Sequence, residues 1–249
     1  MNAAPHLLGL IVEGPSDART VPEIVDRVLV HHGLPAQAED LDGLRAFRGL
    51  DAGTPFLAWK EVDRASRQRG VPRRHGHFGA EPAIEDARTA VLALRCFVAE
   101  DPQPAAVLLV RDSDGKHEER ARGLEQARND FDWPFVVSIG VAHTMRECWV
   151  IAAFKAQSKE EQQALATLRK DLGFDPTVQS HALDATKDTA KKSPKRVLSC
   201  LLGKDDEREA ECFREADIEH LRKVGADNGL AAFIEELEQR LVPIFAAGS

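Results

Sequence analysis

Two stretches decide the fold: LLGLIVEGPSD at residues 7–17 and AVLLVRDSDG at residues 106–115. Leu7 to Val12 run without polar alternation, which suits a strand covered on both faces, as in a parallel sheet. Glu13-Gly14-Pro15-Ser16-Asp17 then turns the chain. Val21, Ile24, Val25, Val28 and Leu29 recur at helical spacing as far as Gly33 and Pro35, with Ser16 or Asp17 as the expected N-cap. The second stretch repeats the plan. Ala105–Val110 reads as a strand, Arg111-Asp112-Ser113-Asp114-Gly115 as a turn, and Lys116–Asn129 as a charged helix. A third strand is expected over Phe135–Val141 and a helix over Met145–Ala156.

Working outward, Ile84, Ala87, Val91, Leu94 and Val98 mark an amphipathic helix that Asp101-Pro102 ends. Residues 34–80 are broken by glycine and proline, and they read as an insertion of minor structure with a short helix near Phe56–Arg67. Beyond Ala156 the pattern is helical: Lys159–Leu172, Lys195–Leu202, Asp217–Val224 and Gly229–Phe245. Strands alternating with helices give an α/β class with a mainly parallel central sheet flanked by helices. The expected organisation is an α/β core over residues 1–156 and a helical extension over 157–249 packed on that core.

Composition narrows the function classes. The 249 residues are 43% hydrophobic and 30% charged, enough apolar material for a sizeable core and too much for a disordered chain. Apolar runs fall far short of the ~20 residues of a membrane span, and the first residues lack the pattern of a secretion signal. Cys96, Cys148, Cys200 and Cys212 form no CxxC pair, which fits free thiols in a reducing cytoplasm. The net charge of −8 argues against binding nucleic acid by bulk charge, yet the charge is uneven. Residues 60–77 and 186–196 are basic, whereas 204–219 are strongly acidic.

Three acids stand at expected strand ends: Glu13 after the first strand, Asp112 and Asp114 after the second. In an open parallel sheet the carboxyl ends of the strands gather at one edge, where ligands bind. The spacing of two lets Asp112 and Asp114 point the same way if strand geometry persists. Clustered carboxylates repel unless protonated or neutralised, and such hard oxygen ligands suit Mg²⁺ or Mn²⁺. A DxD glycosyltransferase would explain the second stretch but not the first. A receiver-like domain would need an acidic pair directly after strand one.

LIVEGPSDARTVPEIVDRVL (10–29) and AVLLVRDSDG (106–115) resemble the two signatures of the Toprim domain, found in topoisomerases, bacterial primases, small RNA-maturing nucleases and OLD-family nucleases. The resemblance covers roughly residues 7–156. It implies that Glu13 is the Toprim glutamate, that Asp112 and Asp114 are its aspartate pair, and that these acids bind divalent metal. Asp17 resembles the second acid of OLD-type nucleases, with a helix cap as its other reading. AHTMRECWVIAAF (142–154) resembles a stretch of small stand-alone Toprim-like proteins linked to OLD nucleases and bacterial defence, which adds Glu147 as a fifth acid. Trp149 in that stretch reads as a core aromatic, and His143 as a neighbour of the site or a loop residue. The chain has no tyrosine, which excludes chemistry through a tyrosyl phosphate, and no P-loop for an ATPase half.

The resemblance also directs attention to a downstream lysine that offsets phosphate charge. Lys195 is the first candidate and Lys192 the second, both in KKSPKRVL (191–198), with Lys191 and Arg196 as further phosphate contacts. Arg73 and Arg74, beside Arg64, Arg67, Arg69, His75 and His77, are candidates in the first basic segment. A zinc site at the His75/His77 pair is not expected, because no partner ligands follow it. The expected activity is phosphodiester hydrolysis of DNA or RNA with two Mg²⁺ or Mn²⁺ ions. An ATPase encoded nearby is the expected protein partner, and a metal-binding regulatory subunit is the alternative function.

Overall fold

The unalternating apolar run at the start becomes β1 (His6–Val12), with Leu8, Leu10 and Val12 buried on one face and Ile11 on the other. The computed structural model describes residues 4–34, 40–74, 76–78, 81–82 and 84–246. After β1 come α1 (Pro15–His31), α2 (Leu41–Leu44), β2 (Arg45–Arg48), β3 (Leu57–Ala58), a 3₁₀ turn (Trp59–Glu61) and α3 (Val62–Gln68). A two-residue antiparallel pair, β4 (His77–Phe78) with β5 (Glu81–Pro82), leads to α4 (Glu85–Val98). Next are β6 (Ala106–Asp112), α5 (His117–Asn129), β7 (Val136–Ala142) and α6 (Glu147–Ala153). The chain continues through α7 (Lys159–Leu172), a 3₁₀ turn (Ser180–Ala182), α8 (Pro194–Leu202), α9 (Asp206–Arg214) and α10 (Ile218–Val224). It ends in α11 (Leu230–Glu236), a π-helical segment (Leu237–Leu241) and α12 (Val242–Ala246).

The central sheet has the order β2-β1-β6-β7, with β3 also pairing to the end of β1, and every pairing in it is parallel. One face is covered by α1, α6 and the helices from α7 onward, whose apolar residues join Leu8, Leu10, Ala106 and Leu108 in a single core. The other face carries α3, α4 and α5 against Ile11, Val107, Leu109 and Ile139. The three expected long strands and the helices at 84–98, 116–129 and 159–172 are present to within a residue or two.

Two expectations need correcting, and one helix was not expected. Residues 34–80 are not an insertion of minor structure, because they supply β2 and β3 to the main sheet. Arginines at both ends of the four-residue β2 hide it in the sequence; they pair with Asp26 and Glu100. Gly14, rather than Ser16 or Asp17, is the N-cap of α1, and the Asp17 carboxylate accepts from the Gly14 N–H at 3.1 Å. Finally, the acidic stretch 204–219 contains α9, capped by Asp205, whose carboxylate accepts from Arg208 N at 3.0 Å. Only Cys212 and Phe213 are buried in α9, too few to produce a visible period.

β7 is an edge strand, and its open side is covered. Glu236 accepts from the Ile139 N–H at 3.3 Å, and the Asn228 carbonyl accepts from the His143 N–H at 2.9 Å. Such capping removes an exposed pairing edge. Gly140 is needed beneath this cover, since a Cβ there would stand 2.8 Å from the Phe233 ring.

Candidate metal centre at the carboxyl edge of the sheet

Register brings the acids to one edge. Ile11 lies opposite Leu109, so two residues further on Glu13 is level with Arg111, and Gly14 with Asp112. Asp112 in turn lies opposite Ala142 at the end of β7. The loops after β1, β6 and β7 therefore emerge together, as the strand order requires.

Asp112 is the electrostatic focus. Burial, then the like charges of Asp17 and Glu147, push its carboxyl up to about 8, against a backbone hydrogen bond from Arg146 N at 2.8 Å. Glu13 adds to the upward push. Asp17, itself buried, is raised by burial and by Glu147, against the pull of Arg146. Glu13 is raised by burial and by Asp17 and Asp114, against Arg111 and Arg120. Thus Asp17, Asp112 and Glu147 bear on one another, and Glu13 bears on Asp112 and feels Asp17 more than Asp114.

Asp112 and Asp114 do not extend one strand, as the spacing of two would require for parallel side chains. β6 ends at Asp112, and Asp114 adopts φ +49° with its N–H bonded to Thr144 O at 3.1 Å. Its carboxylate is half exposed and pairs with Arg120 at 3.0 Å.

Arginines that the sequence reading did not single out stand among these acids. Arg111 Nε approaches Glu13 Oε1 to 3.3 Å, too poorly aligned for a hydrogen bond, while its other nitrogen pairs with Asp86. Its guanidinium lies over the Trp59 ring, 5.0 Å from the centroid. Arg120 bridges Asp86, Asp114 and the Ser113 carbonyl. Arg146 is buried, bonding Thr20 Oγ1 at 2.8 Å and Glu209 Oε2 at 2.6 Å, with Glu147 at 3.6 Å. The position of Arg111 directly before the aspartate pair was a legible signal. The contacts of Arg120 and Arg146 depend on tertiary packing.

The donor set is all carboxylate oxygen, which fits a hard cation such as Mg²⁺ or Mn²⁺ rather than a softer one. Its oxygens are more widely spaced than a closed ligand shell: no three of the five acids bring ligand atoms within 4.8 Å of one another. Arg111 and Arg120 hold Glu13 and Asp114 in that open arrangement.

The basic candidates are engaged locally. Lys195 pairs with Asp188 at 3.7 Å, Lys191 with Asp171 at 3.5 Å, and Arg196 with Asp171 at 3.6 Å. Lys192 lies 5.9 Å from the centroid of the Phe174 ring. Arg73 pairs with Asp63, and Arg74 with Asp130. His75 lies outside the described residues.

His143 meets His117 edge to face with ring centroids 5.7 Å apart, and burial together with His143 lowers the His117 pKa. Trp149 is core: it is fully buried, stacks on Phe233 and donates to the Asn228 carbonyl at 2.8 Å. Among the described residues no helix is long and apolar enough to cross a membrane. No family model, curated protein or solved structure matches the chain.

Proposed function

We propose that the protein is a divalent-metal-dependent nuclease of the Toprim and OLD-like type, hydrolysing phosphodiester bonds in DNA or RNA. The observation that carries this reading is the uncompensated charge around Asp112. Arg111, Arg120 and Arg146 serve not only the five edge acids but also Asp86 and Glu209. A buried carboxylate group in this state gains from a cation.

In this account Asp17, Asp112 and Glu147 hold one Mg²⁺ or Mn²⁺ ion, and Glu13 with Asp114 holds or orients a second. This regroups the aspartate pair, because Asp114 turns away from Asp112. Bound there, the metal supplies Lewis acidity and a more acidic water. Arg120, beside Asp114, joins Lys195 and Lys192 as a candidate to offset charge on the phosphate. Arg73, Arg74, Lys191 and Arg196 would contact the nucleic-acid backbone. Anti-phage defence with a separately encoded ATPase is the setting that the resemblance implies.

The test is incubation of the purified chain with supercoiled plasmid and with RNA under Mg²⁺, Mn²⁺ or EDTA. Cleavage should require metal and disappear in Asp112→Ala/Asp114→Ala. Lys195→Ala should leave metal binding intact and slow cleavage about a hundredfold, whereas Arg120→Ala frees the Asp114 carboxylate and should change metal binding as well. Metal binding without cleavage of either substrate, alone or with an ATPase partner, would favour the regulatory subunit.

A further inference from the structure

We propose that His31, His32 and Glu238 form a second cation site, for a transition-metal ion of the Zn²⁺ class. His31 is the last residue of α1 and His32 is its C-cap, while Glu238 belongs to the π-helical segment. One ligand atom from each lies within 4.8 Å of the other two. His32 Nε2 is 2.9 Å from Glu238 Oε1, and the two imidazoles meet edge to face at 5.3 Å.

The donor chemistry differs from that at the sheet edge. Two imidazole nitrogens and one carboxylate oxygen suit Zn²⁺, whereas an all-oxygen set suits Mg²⁺ or Mn²⁺. Three protein ligands leave a fourth position for water or for a group from outside. Arg222 engages the other oxygen of Glu238 and so fixes the carboxylate with Oε1 towards His32. Glu219, 3.4 Å from Arg222, offsets the charge of that guanidinium. The carboxyl-terminal end of a seventeen-residue helix also favours a cation.

The site is separate from the acids. From Asp17 to His31 the rise along α1 is about 20 Å. It joins α1 to the π-helical segment, residues more than two hundred positions apart, so a bound ion would staple these two elements together. An ion that binds only the folded state stabilises it by mass action.

The experiment is calorimetric titration of the EDTA-treated, desalted full chain with Zn²⁺, together with the absorption spectrum of the Co²⁺-loaded protein. One equivalent should bind, raise Tm and give a Co²⁺ spectrum of low coordination number. His31→Gln, His32→Gln and Glu238→Gln should each weaken Zn²⁺ binding by about tenfold or more. Circular dichroism in EDTA checks that each variant is folded. Asp112→Ala/Asp114→Ala should retain this equivalent, which separates the site from the sheet edge. Absence of Zn²⁺ binding, or binding unchanged in the two histidine variants, would overturn the proposal.

Discussion

Asp112 links the candidate site to stability. Its carboxyl sits near 8 in the folded protein against an ordinary 3.8, so between those values the folded chain holds a proton that the unfolded chain has lost. In EDTA, stability should therefore fall as pH rises through that window, by up to about 1.4 kcal/mol per pH unit from this group. Asp112→Asn keeps an acceptor for Arg146 N and removes the proton, so the variant should lose that slope and exceed the parent in stability above the folded pKa. Urea unfolding across that pH window measures it, and parallel profiles would contradict it. Asn228 offers a second test. Its side chain donates to Ser180 Oγ at 2.8 Å and to Cys148 O at 3.3 Å, and accepts from Leu230 N at 2.9 Å, all fully buried. Asn228→Ala strands these partners and should destabilise the fold by about 2–3 kcal/mol in the same assay. Glu13, Asp17 and Asp112 were legible because strand-end position and residue type both live in local sequence. Arg111, directly before Asp112 on β6, was legible too, but the contacts of Arg120 and Arg146 were not, because they depend on elements packed together from distant parts of the chain.

At the level of elements, the edge strand β7 depends on the turn that starts α11. Gly229 has φ +87°, and a Cβ there would stand 2.1 Å from the Val141 carbonyl oxygen. Gly229→Ala should displace α11 from β7 and lower stability by about 3 kcal/mol, combining left-handed strain with the clash. Faster hydrogen exchange at Ile139 would accompany it, because that amide bonds to Glu236. If the variant melts with the parent, α11 is not what holds the edge. Unbroken apolar runs revealed β1, β6 and β7 because each is long and apolar on both faces. β2 and β3 have four residues and two, so they offer no period to read. α9 was hidden by its charge, although that charge has structural use: Glu209 reaches Arg146, and Arg214 pairs with Glu23 of α1.

The whole molecule has one core on the α1 side of the sheet, and the helices after Ala156 complete it. Leu8, Leu108 and Trp149 share that cluster with Val197, Phe213, Phe233 and Phe245. A chain cut after residue 156 should therefore fail to give a cooperative unfolding transition, since it leaves that sheet face with α1 and α6 alone. A sharp transition with dispersed amide resonances would show instead that the α/β part stands alone. The same layout explains why the sheet and its acidic edge were readable while the closing of one face was not. Helical spacing located the later helices, but which face they cover is a property of the assembled chain. The central claim is that the carboxyl edge binds divalent metal through Asp17, Asp112 and Glu147 with Glu13 and Asp114. Titration of free Mn²⁺ by electron paramagnetic resonance, in a His31→Gln/His32→Gln background that removes any histidine site, tests it most directly. The account predicts stoichiometric Mn²⁺ uptake by the parent and none at equal concentrations by Asp112→Ala/Asp114→Ala. Equal uptake by both proteins, or none by the parent, would contradict it.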